Sequence, residues 1–440
     1  MYPIPESIVP ADDNKLDSYF PIRSKGNEFD WGVITGLILS YILRLQIKNY
    51  SIEDFRSECE KHMSELLGSH DHGFLAVLER MYFSTNDVLK ISPLFLLFKA
   101  QYNGSGKATL GASNWRMGAL FASLLGDQKT ESELPQKLNF LEVEILNVLS
   151  ARLKPAAEVL FAEERPYLPY LAEKFKLDIS FLSGHPTYLL EHLEDALKLY
   201  AFSYCSQLAL NIRAWKEGCP VSRKLYFILD SEKASAERSM VQNHGYKMFS
   251  KASEYLFPIL SALEVLQLQG SKRPLWQVYD ECNSYSDHVQ LLTDLNNYLS
   301  AFIELRVLPK QAPSTTVEEA FTQLEKVAVG QFRDEKTKRS DVNKKYMIAL
   351  EDQIGAEFIQ SRGRAGRVLV LNQDQLVLLT NLSIGLRDKL RLHELIDEFR
   401  SRGFYLDSQS QQVLVSFYER MGNIERMSDS GDAVYVRKTI

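Results

Sequence analysis

Apolar residues recur at helical spacing along most of the chain, so the pattern predicts a mainly α protein with one or a few strands. From Trp31 to about Arg152 the apolar clumps are broken at Asn49, Gly68, Pro93, the Asn103 to Gly106 loop and Gly126. This predicts a helical N-terminal domain over residues 1–152. Within it, Val33 to Leu43 reads as a buried helix, because Arg44 ends the run well short of the ~20 residues that a bilayer requires. Ser51 and Asp54 open another helix, since a hydroxyl caps backbone donors and an acidic residue suits the first turn. Ile52, Phe55, Cys59, Met63 and Leu66 are its expected buried face.

Residues 153–330 predict a helical middle domain. Pro186 starts a helix that passes through Leu189, Leu193, Leu197, Tyr200, Tyr204, Leu208 and Ile212 to a stop at Gly218 and Pro220. A second, Glu237 to Leu268, is interrupted by Pro258, and Pro274 opens a third that continues to about Leu305. Before these last two stands a buried strand within 224–230, spelled Leu225, Tyr226, Phe227, Ile228, Leu229 and ending at Asp230. A lone strand needs a partner, and the local pattern does not identify it. Residues 331–367 read as a charged helical linker, with a helix through Met347, Leu350, Ile354 and Phe358.

The final segment, 368–440, has the sharpest pattern. Val368 to Leu371 is a short strand, and Asn372 or Asp374 caps a helix through Leu376, Leu379 and Leu382 that ends near Gly385. A second helix buries Leu392, Leu395, Ile396 and Phe399 and stops at Gly403. Ser408 and Gln411 then form a capping box for a third helix, whose apolar side is Val413, Leu414, Phe417, Tyr418 and Met421. Beyond Gly422 the chain alternates to Ser428, turns at Asp429 to Asp432 and alternates back through Lys438, which predicts a hairpin. Three helices closed by a hairpin predict a C-terminal winged helix-turn-helix.

Composition changes this picture little. Apolar residues make up 45% and charged ones 25%, as in folded proteins. With 51 basic against 57 acidic residues, any nucleic-acid contact must be local. Residues 331–440 hold 18 basic and 16 acidic side chains, the remainder 33 and 41, so positive charge gathers toward the C-terminus. The widely spaced Cys59, Cys205, Cys219 and Cys282, and a start without a signal-peptide pattern, predict a reducing cytoplasm.

Catalytic motifs fail on inspection. Gly104, Ser105, Gly106, Lys107 imitate a phosphate loop, but Gln101 stands where the first glycine is required and Ala108 where a magnesium-binding hydroxyl is required. Cys59, His62, His70 and His72 have irregular spacing and a single thiolate, unlike structural zinc sets. No serine sits in a nucleophile elbow. The expectation is therefore a non-enzyme with no cofactor and no metal, the alternative being a divergent nuclease or nucleotide hydrolase in the helical region.

Candidate contacts point instead to double-stranded DNA. The third C-terminal helix carries Gln409, Gln412, Ser416 and Glu419 or Arg420 opposite its apolar side, and such groups reach base edges in a major groove. Arg426, Arg437 and Lys438 lie on or beside the predicted wing. Arg362, Arg364 and Arg367 sit on a glycine-loosened stretch that either follows phosphates or serves as a mobile basic linker. Equally, a winged helix can dock another protein, because fold does not dictate function.

Arg402 to Asp407, Phe417 to Gly422, Ser428 to Ala433, and Tyr435 with Val436 together resemble the C-terminal end of the DptG (DndG) family. That family belongs to bacterial DNA phosphorothioation-dependent restriction systems. Chain length suits it, and Asp230 with Ser231 after the middle strand is compatible, while the specific likeness is confined to the C-terminal end. The resemblance implies a non-catalytic DNA-binding or scaffolding subunit of an anti-phage complex that attacks DNA lacking phosphorothioate. Its implied partners are DptF-like and DptH-like ATPase subunits, with no membrane. It supplies no catalytic residues.

Overall fold

A computed structural model describes residues 2–68, 72–84, 87–101, 110–129, 137–156, 164–233, 237–270, 272–333, 337–427 and 433–440. Helix outweighs strand, 61% against 8%, so the chain is mainly helical with a few small sheets. It divides into two compact units, one of Met1–Asn27, Ala162–Phe175 and Lys198–Ile440, the other of Glu28–Phe161 and Lys176–Leu197.

In the smaller unit, helix Trp31–Leu43 starts where the Asp30 carboxylate accepts from the Val33 N–H. Helix Ile52–Leu67 begins at Ser51 as expected and adds a full capping box, the Ser51 hydroxyl accepting from the Asp54 N–H and the Asp54 carboxylate from the Ser51 N–H. Phe55, Cys59 and Met63 are buried, whereas Leu66, in the last turn, stays 46% exposed. Strand β1 (Leu45–Gln46) pairs antiparallel with β2 (Lys154–Pro155). The Gly104 to Thr109 loop lies outside the described residues.

The larger unit is organised by the strand whose partner the local pattern does not reveal. Strand β3 (Tyr226–Leu229) sits between β5 (Arg367–Leu371) and β7 (Tyr405–Leu406), parallel to both, while β4 (Ile359–Ser361) pairs antiparallel with β5. Alternation gives the sheet two faces. Tyr226 and Ile228 join Val241, Val368, Val370 and Tyr405 in one buried cluster. Phe227 turns the other way, with ring centroids 6.0 Å from Phe202 and 5.1 Å from Phe404.

Helix boundaries around this sheet depart from expectation for local reasons. The expected Glu237 to Leu268 helix is Ser239–His244, Tyr246–Ser253 and Leu256–Leu263. Its first break falls at Gly245, where a Cβ would lie 2.4 Å from the Val241 carbonyl oxygen. Pro258 falls in the first turn of Leu256–Leu263, where its missing N–H costs no helical bond. The helix expected from Pro274 is two, Leu275–Asn283 and His288–Arg306, the second capped by Asp287. Helices α1 (Val317–Gly330) and α2 (Lys338–Gln353) then lead to β4.

After β5 come α3 (Gln373–Ile384), β6 (Lys389–Arg391), α4 (Leu392–Ser401), β7, α5 (Ser408–Met421), β8 (Ile424–Met427) and β9 (Ala433–Arg437). Asn372 caps α3 in a box with Gln375, and Gly385 ends it. Strands β6, β9 and β8 form an antiparallel sheet in that order. The expected tip of the hairpin at Asp429 to Asp432 lies outside the described residues. Gly403 after α4 has φ +87°, and a Cβ there would lie 2.8 Å from Gln207 Cγ, so the turn into β7 needs glycine twice over.

The expected divisions after 152, 330 and 367 do not coincide with the two units. A cut at 367 runs through the β4–β5 hairpin, and one at 330 separates β3 from the strands on both its sides. A fragment starting at Val368 is therefore expected to lack a cooperative melt, because Val368, Val370 and Tyr405 lose the strand that covers them. In the intact chain, Phe227→Ala is expected to cost ~3–5 kcal/mol as a buried aromatic truncation. Thermal unfolding checks both; a sharp two-state transition from the fragment, or an unchanged melt for the variant, contradicts the central place of β3.

Candidate nucleic-acid interface

Helix α5 buries one side, although Val413 and Met421 of its expected apolar face are not buried, Met421 being 40% exposed. Ser410, Leu414, Phe417 and Tyr418 are buried, and the Tyr418 hydroxyl lies 2.6 Å from Thr380 Oγ1 of α3. Gln409, Gln412, Ser416, Glu419 and Arg420 are exposed, as the spacing predicts. Gln412, Val413, Ser416, Glu419 and Arg420 line a shallow cavity of about 570 Å³ with Ser231, which follows β3. Ser231, exposed just beyond the end of β3, thus borders the same recess as the polar stripe.

The start of α5 is held by a buried charge network. Its N-cap is Asp407, not the expected Ser408, with the carboxylate accepting from the Ser410 N–H at 2.9 Å. That carboxylate also pairs with Arg238, a guanidinium only 6% exposed. Its Nε donates to Asp407 at 3.0 Å, Nη1 to Glu232 at 2.6 Å and Nη2 to Ser410 Oγ at 2.7 Å. Glu232 in turn accepts from the Leu229 N–H at 2.7 Å. Burial alone would raise the Asp407 pKa, but Arg238 and the Ser410 N–H outweigh it and hold the carboxyl below its usual range. Sequence reasoning missed Arg238 and Glu232, whose only signal was two acidic residues close behind a buried strand.

A second network orients α4. Glu398 accepts from Lys174 at 2.8 Å and from Arg402 at 2.8 Å, and pairs with Arg387 at 3.3 Å. Here too burial opposes ionisation, and the cations overcome it, lowering the Glu398 carboxyl to about 2.

Most expected phosphate contacts already have protein partners. Arg426 pairs with Glu419 at 2.5 Å, and Arg437 and Lys389 share Glu425 at 2.6 and 2.9 Å. The Lys438 ammonium donates to the Gly385 carbonyl at 3.3 Å. Arg420 is exposed and has no ion-pair partner among the described residues. The 362–367 stretch is the turn of the β4–β5 hairpin rather than a mobile linker. There Arg362 pairs with Asp230 at 2.5 Å, and Arg367 with Glu351 at 2.6 Å while stacking over Tyr246. Arg364 is exposed with no such partner among the described residues. The structure brings Gln412, Ser416 and Arg420 together, and it sets the Arg362 to Arg367 turn on a different element.

The metal set rejected from the sequence is described only in part. Cys59 is fully buried, and burial pushes its thiol up to about 12. His62 Nε2 lies 2.8 Å from the Glu144 carboxylate, whereas His70 lies outside the described residues.

Glu398 gives the network a pH signature. Its folded pKa lies below the unfolded ~4.3, so its stabilising contribution is complete above that value and is lost as pH falls toward 2. The melting temperature of Glu398→Gln is expected to fall less steeply than that of the parent between pH 5 and pH 2. Parallel pH profiles of the two proteins would contradict the pairing.

The chain matches no family model, and no curated protein matches it.

Proposed function

We propose that residues 373–440 form a winged helix that contacts double-stranded DNA through α5. The chain is then a non-catalytic, cytoplasmic DNA-binding or scaffolding subunit of a bacterial phosphorothioation-dependent restriction complex, beside DptF-like and DptH-like ATPases. Support for the winged helix comes from element order, helix α3, strand β6, helices α4 and α5, then the β8–β9 pair, with β6 added to the edge of β9. The observation that carries the DNA reading is the α5 stripe of Gln409, Gln412, Ser416 and Arg420, exposed along one side of a helix whose opposite side is buried. Amide side chains of this length suit bidentate contact with adenine edges, and an arginine suits guanine. The restriction-system assignment rests on the family resemblance of the C-terminal end. That no helix of the described residues is long and apolar enough to cross a membrane agrees with it.

A second reading, a docking module for the partner ATPases, is favoured by one observation. Glu419 and Glu425 pair with Arg426, Arg437 and Lys389, so three cations on or beside the β8–β9 pair already have protein carboxylates.

Charge removal separates the two. For a DNA contact, Glu419→Gln with Glu425→Gln releases three cations toward phosphate, so duplex affinity at low salt is expected to rise several-fold with a steeper salt slope, by ~0.9 for every additional phosphate neutralised. Replacing Gln409 and Gln412 by Ala is expected to cost ~1–3 kcal/mol on preferred sites with the slope nearly unchanged. Fluorescence anisotropy of the intact protein on labelled duplexes measures both. Absence of duplex binding by the parent and by the double variant, with ATPase association retained, would leave only the docking reading.

A further inference from the structure

A second charged surface lies away from α5, beside α1. Thr322, Glu325, Lys326 and Val329 recur at i, i+3, i+4 and i+7 on that helix and so share one face. With Arg213, Lys216, Tyr255 and Arg333 they line a cavity of about 450 Å³. A neighbouring cavity of about 320 Å³ shares Tyr255, Val329 and Arg333 and extends to Lys344 and Met347 of α2. The two form one continuous groove bordered by Tyr255.

Charge in this groove is not balanced. Glu325 is occupied, accepting from Arg213 Nε at 2.6 Å and from the Trp215 indole N–H at 2.9 Å, and Lys216 pairs with Glu318 at 2.7 Å. Lys326 donates to a neutral group, Gln311 Oε1, at 3.1 Å. Arg333 and Lys344 are exposed without an ion-pair partner among the described residues, and Glu254 is the remaining lining carboxylate. Among the described lining residues five cations therefore stand against two carboxylates, although the chain as a whole has a net charge of −6.

We propose that this groove binds single-stranded nucleic acid, with phosphates on Lys326, Arg333 and Lys344 and a base against the Arg213–Tyr255 pair. The ring decides the class of ligand. Tyr255 borders both cavities and carries the half-exposed Arg213 guanidinium 4.4 Å from its centroid, so a planar cation seated on a ring stands in the middle of a cationic track. Such a pairing of ring and track suits an unstacked base followed by its phosphates. A duplex keeps its bases stacked inside and offers the ring no base. An acidic peptide would use the cations and bring no planar group to stack on the Arg213–Tyr255 pair. The groove draws on none of the α5 residues, so this site stands or falls separately from the winged helix.

The test uses the full-length protein and a fluorescein-labelled oligothymidine at low salt. Binding is expected to weaken at least tenfold in Lys326→Ala/Arg333→Ala/Lys344→Ala, surface positions whose replacement leaves the thermal melt unchanged, with the salt slope reduced by about 0.7 for every phosphate left unneutralised. Tyr255→Leu is expected to weaken binding while the slope is retained. The Gln409 and Gln412 replacements are expected to leave it unaltered. No binding by the parent protein, undiminished binding by the folded triple variant, or preference for a polyglutamate peptide over the oligonucleotide would overturn the proposal.

Discussion

A buried strand must find backbone partners on both edges, and the larger unit is arranged around meeting that demand for Tyr226–Leu229. Unpaired amide and carbonyl groups in such a position would each cost free energy comparable to a lost hydrogen bond. The chain meets the need with segments far ahead in sequence, β5 on one side and β7 on the other. Everything C-terminal to β4 is thereby tied to the middle of the chain. The winged-helix reading of the last segment describes a module built onto this sheet rather than one joined by a linker.

The same strand reaches the candidate interface through chemistry. Where β3 ends, Glu232 caps its last amide and holds Arg238, and Arg238 holds the N-cap of α5. Two carboxylates and a guanidinium removed from water are costly unless all three are mutually satisfied, and here each carboxylate meets both a cation and a backbone N–H. Geometry at the start of α5 is therefore set by the sheet, and the polar face of α5 inherits its direction from that anchor. Charges at the surface behave differently. Arg426, Arg437 and Lys389 sit in surface pairs, whose small net energies allow exchange of a carboxylate for a phosphate.

What the sequence made legible was local. Ser51 and Asn372 cap the helices that their spacing announced, Gly385 ends α3 as expected, and the exposed Gln409, Gln412 and Ser416 follow directly from helical periodicity. What escaped depends on residues far apart in the chain. The partners of β3 lie well over a hundred positions away, and nothing near Tyr226 encodes which alternating run will pair with it. The N-cap of α5 is Asp407 rather than Ser408, and the Arg238 that braces it comes from another part of the fold. The basic stretch from Arg362 to Arg367 looked loose only because its counter-ions Asp230 and Glu351 lie outside it, Asp230 far back along the chain.

The central claim is that the sheet-anchored face of α5 meets duplex DNA. A photoreactive side chain at position 412 of the intact protein, with position 386 as the control on the exposed Leu386, tests it most directly. The account predicts crosslinks from position 412 to labelled duplex that unlabelled duplex suppresses, and far fewer from position 386. Crosslinks from position 412 only to protein partners, or equal yields from the two positions, would contradict it.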